Sequence, residues 1–259
     1  MDLCPEPKQL LDQVTIILVR PKYAENIGST ARIAANMGVN HICVVHDVRP
    51  AMEPMLKLAT HHASHLIHNL EHFNSLEEAL APFNWIVGTS ARQGRQRRSM
   101  KNLKPVVKTT LPRLKENHTA FVFGPEDRGL SNEDLKLCNI IASIPTADFS
   151  SLNLAQSVAI VLYELFSGVQ EINSTTSQTT PLPKQASSRE MEGIYSLIEK
   201  TLHQIEYLKE TDYTQWMINI RHFLGRIGLR AREVKLIKGY CRHILRLTEK
   251  TNQGGRRDL

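Results

Sequence analysis

The sequence contains no apolar run approaching the roughly 18 residues that a membrane-spanning helix needs. Its N-terminus, MDLCPEPKQLLDQ, carries acids and prolines where a secretory signal needs a basic start and an apolar stretch. A cytoplasmic protein is expected. Four cysteines (Cys4, Cys43, Cys138 and Cys241) lie far apart without a C-x-x-C pair, which argues against a zinc ribbon, a redox dithiol or a disulfide scaffold. The common nucleotide signatures are missing as well. There is no G-x-G-x-x-G and no G-x-x-x-x-G-K-[ST], which argues against a dinucleotide dehydrogenase and a P-loop NTPase. The absence of G-x-S-x-G argues against a serine hydrolase.

What is present is an ordinary globular composition over 259 residues, 41% hydrophobic and 22% charged, enough for one or two domains. The net charge of +6 is unevenly spread. From Tyr213 onward 11 Lys and Arg face 3 acids, so the tail carries +8 and the remainder −2. A second basic run, Arg92, Arg95, Arg97, Arg98, Lys101 and Lys104, contains no acid and is expected to form a loop. Two basic patches, neither with the apolar opposite face of a membrane-surface helix, point to a polyanion such as nucleic acid.

Residues 14–166 alternate between strand and helix patterns. Val14–Val19, His41–Val45, Trp85–Val87, Ala120–Phe123 and Ile140–Ile144 are short continuous apolar runs, the pattern of strands buried on both faces. Helices are expected over Asn26–Met37, Glu53–Thr60, Ser75–Leu80, Asn132–Leu137 and Leu152–Phe166. The fold class is α/β with a parallel sheet. Residues 170–189, rich in Ser, Thr, Gln and Pro, read as a linker between a first domain (1–169) and a basic helical region (190–259). In that region Met191, Ile194, Ile198, Leu202 and Ile205 recur at helical spacing, as do Ile220, Phe223, Leu224 and Ile227, and then Val234, Ile237, Cys241, Ile244 and Leu245.

The polar segments gather at the C-terminal ends of the expected strands, the edge where open α/β sheets bind ligands. In order they are Asn26-Ile-Gly-Ser-Thr-Ala-Arg32, Gly88-Thr-Ser-Ala-Arg92, Phe123-Gly-Pro-Glu-Asp-Arg-Gly-Leu-Ser131, and Ile144-Pro145 through Ser151-Leu-Asn-Leu-Ala155. Singly, each is read most simply as a turn. Together they resemble the SPOUT superfamily of trefoil-knotted RNA methyltransferases, in the branch that methylates ribose 2′-hydroxyls. With the basic run from Arg230 and Arg232, the resemblance narrows to members that act on a pyrimidine of the tRNA anticodon loop.

That resemblance implies S-adenosylmethionine as methyl donor, a C-terminal knot in the sheet domain, and a homodimer with each active site at the subunit interface. It implies a cofactor pocket of Thr89, Ser90, Ala91, Gly124, Gly129, Ile144, Leu152 and Asn153. Asn26, Arg32, Glu126 and Ser151 match its proposed catalytic positions. Arg92, Arg95, Arg97, Arg98, Arg230 and Arg232 are the expected RNA contacts. Arginine stays protonated, so Arg32 is expected to fix the substrate phosphate and stabilise the developing alkoxide rather than act as a base. A sulfonium donor needs no metal for transfer. His61, His65, His68 and His72 recur at helical spacing, but Leu66-Ile67 and Asn69 suit a turn and short strand that would scatter them, so no metal site is expected. A ribosomal RNA substrate, a knotted RNA-binding module without catalysis, and a small-molecule methyltransferase are the competing readings.

Overall fold

The computed structural model describes residues 7–91, 100–174, 181–207 and 213–254. Arg92, Arg95, Arg97 and Arg98 lie outside the described residues. The chain divides into two compact units, residues 1–184 and 185–259.

The first unit is built on a seven-stranded sheet in the order β3-β2-β1-β6-β4-β7-β5, with every described pairing parallel. Its strands are β1 (Val14–Val19), β2 (His41–Val45), β3 (Glu71–Phe73), β4 (Trp85–Thr89), β5 (Met100–Asn102), β6 (Thr119–Phe123) and β7 (Ile140–Ser143). All six residues of β1 are buried, because side chains alternate between two covered faces. Ile16, Leu18, Phe121 and Phe123 face a core shared with helices α2 (Ala24–Asn36), α3 (Met52–His68), α5 (Leu103–Thr110) and α7 (Leu154–Ser174). Ile17, Val19, Ala120 and Val122 face the opposite core, covered by α4 (Leu76–Leu80) and α6 (Asn132–Lys136). A short helix α1 (Pro7–Leu11) precedes the sheet.

Several elements differ from expectation. The edge strands β3 and β5 were not expected, and Lys101 and Lys104, expected in a loop, belong to β5 and α5. Helix α3 does not stop at Thr60. It kinks there, where Thr60 adopts φ 61° and ψ 172°, and resumes through His68. Ala63, Leu66 and Ile67 are buried in the resumed stretch, which outweighs the turn signal. His61, His65 and His68 are therefore exposed on one helix rather than being scattered, while His72 lies in β3. Among the described residues no three metal-ligating side chains converge. Helix α7 runs on to Ser174, so residues 170–174 of the expected linker are helical.

Helices α2 and α3 pack backbone to backbone at Gly28: a Cβ there would lie 2.1 Å from the carbonyl oxygen of Met55. This contact fixes α2, which carries two of the expected catalytic residues.

The second unit comprises α8 (Ser188–Gln204), α9 (Tyr213–Ile227) and α10 (Ala231–Gly254). Ser187 and Glu190 form a capping box at the start of α8. Its small core joins Ile194, Tyr195, Met217, Leu224 and Val234. Arg221 holds Glu192 through two hydrogen bonds of 2.6 and 2.7 Å, and its guanidinium lies 4.3 Å from the Tyr195 ring centroid. Phe223 and Ile227, expected on the packed stripe, are exposed. No helix among the described residues is long and apolar enough to cross a membrane.

Candidate active site

In the parallel sheet β4 lies between β6 and β7, so the three strands end at one edge. The Thr89 hydroxyl donates to the Val122 carbonyl at 3.0 Å, and the Ser90 N–H donates to the Ala142 carbonyl at 3.0 Å. These bonds tie the end of β4 to both neighbours. The loops leaving the three strands enclose a cavity of about 210 Å³. Of the expected cofactor residues, Thr89, Ser90, Ala91, Gly124, Gly129, Ile144 and Leu152 line it. So do Glu126 and Ser151.

The wall after β6 doubles back sharply. Gly129 sits at φ +63°, its N–H bonded to the Pro125 carbonyl at 2.7 Å. A Cβ on Gly124 would lie 2.2 Å from the Leu130 nitrogen and 2.3 Å from the Gly129 carbonyl carbon. Backbone therefore forms this wall. Beyond the turn, Ser131 and Asp134 make a complete capping box on α6. Asp134 also receives the Arg20 guanidinium. Apolar side chains (Phe123, Ile144, Leu152) alternate in the lining with the hydroxyls of Thr89, Ser90, Ser150, Ser151 and Ser157. That mixture suits a ligand with a flat aromatic part and a polar, hydroxylated part, and it fits S-adenosylmethionine.

Asn26 and Asn153 are not among the lining residues. They belong to a hydrogen-bond relay beside the cavity. The Asn26 side-chain amide donates to Glu126 Oε1 at 2.5 Å, and the Lys22 backbone N–H donates to Glu126 Oε2 at 2.9 Å. Asn153 Nδ2 donates to Asn26 Oδ1 at 3.0 Å. The other end of the Asn153 amide accepts the backbone N–H groups of Ala155 at 2.9 Å and Gln156 at 3.3 Å, capping α7. Glu126 thus spends both oxygens as an acceptor, and Asn26 is gripped from both sides.

Arg32 stands apart. It is exposed on α2, is not a lining residue, and has no ion-pair partner among the described residues. Six residues beyond Asn26, it points about 120° away around the helix. Arg230 and Arg232 are exposed in the second unit, at and just before the start of α10. Sequence reasoning missed Ser150, Ser157 and Arg128 as lining residues, although Arg128 stands within Phe123–Ser131 and Ser150 within the segment from Ile144 to Ala155. It also missed Arg20 and Lys22, whose partners lie more than 100 residues away.

Residues 13–163 match the model of the SpoU rRNA methylase family. The chain belongs to the SpoU methylase family. It is therefore an S-adenosylmethionine-dependent methyltransferase. Residues 189–253 match a second model, the C-terminal domain of the tRNA methyltransferase TrmJ. Among SpoU-type relatives, the chain is 31% identical to the tRNA (cytidine-2′-O-)-methyltransferase TrmJ of Methanocaldococcus jannaschii, over 61% of this chain and 69% of that protein. It is 29% identical to the tRNA (cytidine/uridine/adenosine-2′-O-)-methyltransferase TrmJ of Pseudomonas aeruginosa, over 95% of this chain and 97% of that one. The crystal structure of TrmJ from Z. mobilis ZM4 superposes with a TM-score of 0.74 at 26% identity, covering 89% of this chain and 98% of that chain.

Proposed function

We propose that the protein methylates a ribose 2′-hydroxyl of tRNA, at a pyrimidine nucleotide of the anticodon loop. The observation that carries the reading is the Asn153–Asn26–Glu126 relay bordering a cavity at the strand-end edge. Two features favour tRNA: the region that matches the C-terminal domain of a tRNA methyltransferase, and the near full-length similarity to a tRNA 2′-O-methyltransferase.

S-adenosylmethionine supplies an electrophilic methyl carbon on a sulfonium leaving group. Seven expected lining residues, with Gly124 and the Gly129 turn at their centre, would hold it. The remaining barrier belongs to the acceptor, a hydroxyl that must shed its proton during attack. Alignment of oxygen, carbon and sulfur removes several kcal/mol of barrier, on the order of the effective-molarity gains of fixed reactants. Asn26, held in orientation by Glu126 and Asn153, and Ser151 would fix the ribose. Glu126, which accepts from the Asn26 amide and from the Lys22 N–H, positions Asn26. Arg32 grips the substrate phosphate and stabilises the developing alkoxide, and the proton leaves to phosphate or water.

Arg32 stands away from its own cavity, which supports a homodimer in which it serves the partner subunit's site. A trefoil knot over the strand-end loops, a methyltransferase domain that extends through α7 and is followed by a basic helical region, and a cytoplasmic location complete the reading. The expected RNA contacts are Arg92, Arg95, Arg97, Arg98, Arg230 and Arg232. Replacing Arg32 with Ala should abolish methyl transfer while calorimetry still shows donor binding; near-normal turnover would remove it from the mechanism. The rival substrate is ribosomal RNA, favoured only by the name of the family matched at 13–163.

A further inference from the structure

The segment between β1 and α2 is held unusually firmly for a surface loop. Arg20 takes a left-handed conformation, φ 49°, that β-carbon-bearing residues adopt rarely. Its N–H donates to the Val45 carbonyl at 2.7 Å, and its guanidinium pairs with the buried Asp134. Pro21 is buried. The Lys22 N–H is anchored on Glu126, a cavity-lining residue. The Tyr23 carbonyl accepts the N–H of Asn26 at 3.1 Å. The hydrogen-bonded anchors of Lys22 and Tyr23 are thus backbone, and among the described residues the Tyr23 ring is met only by the neighbouring Lys22 ammonium. Tyr23 is 51% exposed, with the Lys22 ammonium 5.7 Å from the ring centroid.

An exposed aromatic on a pinned backbone, one residue from the anchor on Glu126 and three from Asn26, is what reading an unstacked base requires. Loop RNA is recognised by splaying bases onto aromatic faces, because its bases are not locked in a duplex. A pinned backbone lowers the entropy lost on stacking, and the adjacent ammonium favours the phosphodiester that accompanies the base.

We propose that Tyr23 is a substrate-specificity residue, stacking on a nucleobase at or beside the methylated nucleotide. This rests on the RNA methyltransferase reading above. A ring covered by a second copy of the chain would instead make Tyr23 a determinant of oligomeric state.

The test uses the full-length protein with Tyr23→Ala, Tyr23→Phe and Tyr23→Trp. Fluorescence anisotropy would follow binding of an unmodified anticodon stem-loop RNA, beside methyl transfer to whole tRNA, donor affinity and sedimentation. Stacking predicts that Tyr23→Ala weakens RNA binding roughly 5- to 100-fold and raises KM more than it lowers kcat. Phe and Trp should restore both, with donor affinity and oligomeric state unchanged. RNA binding by Tyr23→Ala equal to the parent overturns the proposal, as does a change in sedimentation that accounts for the loss. The two readings fail separately. An unmodified parent that transfers no methyl to tRNA overturns the proposed function, whereas the anisotropy comparison decides the role of Tyr23 either way.

Discussion

An alanine at Gly124 would bring its methyl within 2.2 Å of the Leu130 nitrogen, and the obstruction is backbone that cannot swing aside. Gly124→Ala is expected to reshape the Gly124–Leu130 turn and weaken S-adenosylmethionine binding by at least about tenfold, since a single off-place wall removes close contacts along the ligand. Isothermal calorimetry reads this directly, and unchanged affinity would separate the turn from the donor pocket. Cysteine chemistry offers a second check at this scale. Burial pushes the Cys43 and Cys138 thiols from an ordinary value of 9.0 to about 12, with Glu71 and Asp134 respectively adding to the rise. Both stay protonated at pH 8 and should resist iodoacetamide until the protein unfolds. The sign of the linkage follows. These raised values favour the folded state fully below about pH 9, and that contribution is lost as the pH climbs toward about 12. Mass spectrometry of the alkylated protein, native against denatured, is the measurement.

Helix α3 carries its strain at one position. Thr60, at φ 61° and ψ 172°, occupies a region open essentially to glycine, between a stretch that packs Met55 and Ala59 and one that packs Ala63, Leu66 and Ile67. Thr60→Gly should relieve more strain than it adds in unfolded-chain entropy, a net gain of about 1 kcal/mol. In a unit of this size that raises the melting temperature by roughly 2–4 °C, readable by calorimetry. A drop in melting temperature would show that the kink is not strained. The same helix marks where sequence pattern stops being informative. The five expected strands are continuous apolar runs because both faces of the sheet are covered, and a run such as VTIILV at Val14–Val19 is of strand length and rich in β-branched residues. Glu71–Phe73 and Met100–Asn102 read EHF and MKN, since an edge strand can pair with one neighbour while leaving polar side chains outward. His61–His68 looked like turn and strand because its buried positions are few and its exposed ones are histidine. At the site, the loops after β4, β6 and β7 were legible because each follows an apolar strand run and together they carry the motifs of a known family. The Arg20–Asp134 pair was not, because its partners stand 114 residues apart and nothing local marks either one.

The whole molecule joins a sheet unit to a strongly basic helical unit. In α10 Val234, Cys241 and Leu245 are buried, while Arg232, Lys235, Arg242 and Arg246 are exposed. If these cations meet phosphate, each contact releases counterion, and the logarithm of the tRNA binding constant falls linearly with the logarithm of salt, with a slope of about −0.7 to −0.9 per contact. Arg232→Ala should lower that slope by roughly one and leave donor affinity unchanged; a flat salt response in the parent protein would remove the tail from RNA binding. The central claim is methyl transfer to a ribose hydroxyl of tRNA, and a labelled-donor assay tests it most directly. The protein is incubated with tritiated S-adenosylmethionine and, separately, total tRNA and total ribosomal RNA; the products are digested and the labelled nucleoside identified. The account predicts a labelled 2′-O-methylpyrimidine from the tRNA pool alone. Label in ribosomal RNA alone, or on a base instead of a ribose, would contradict it.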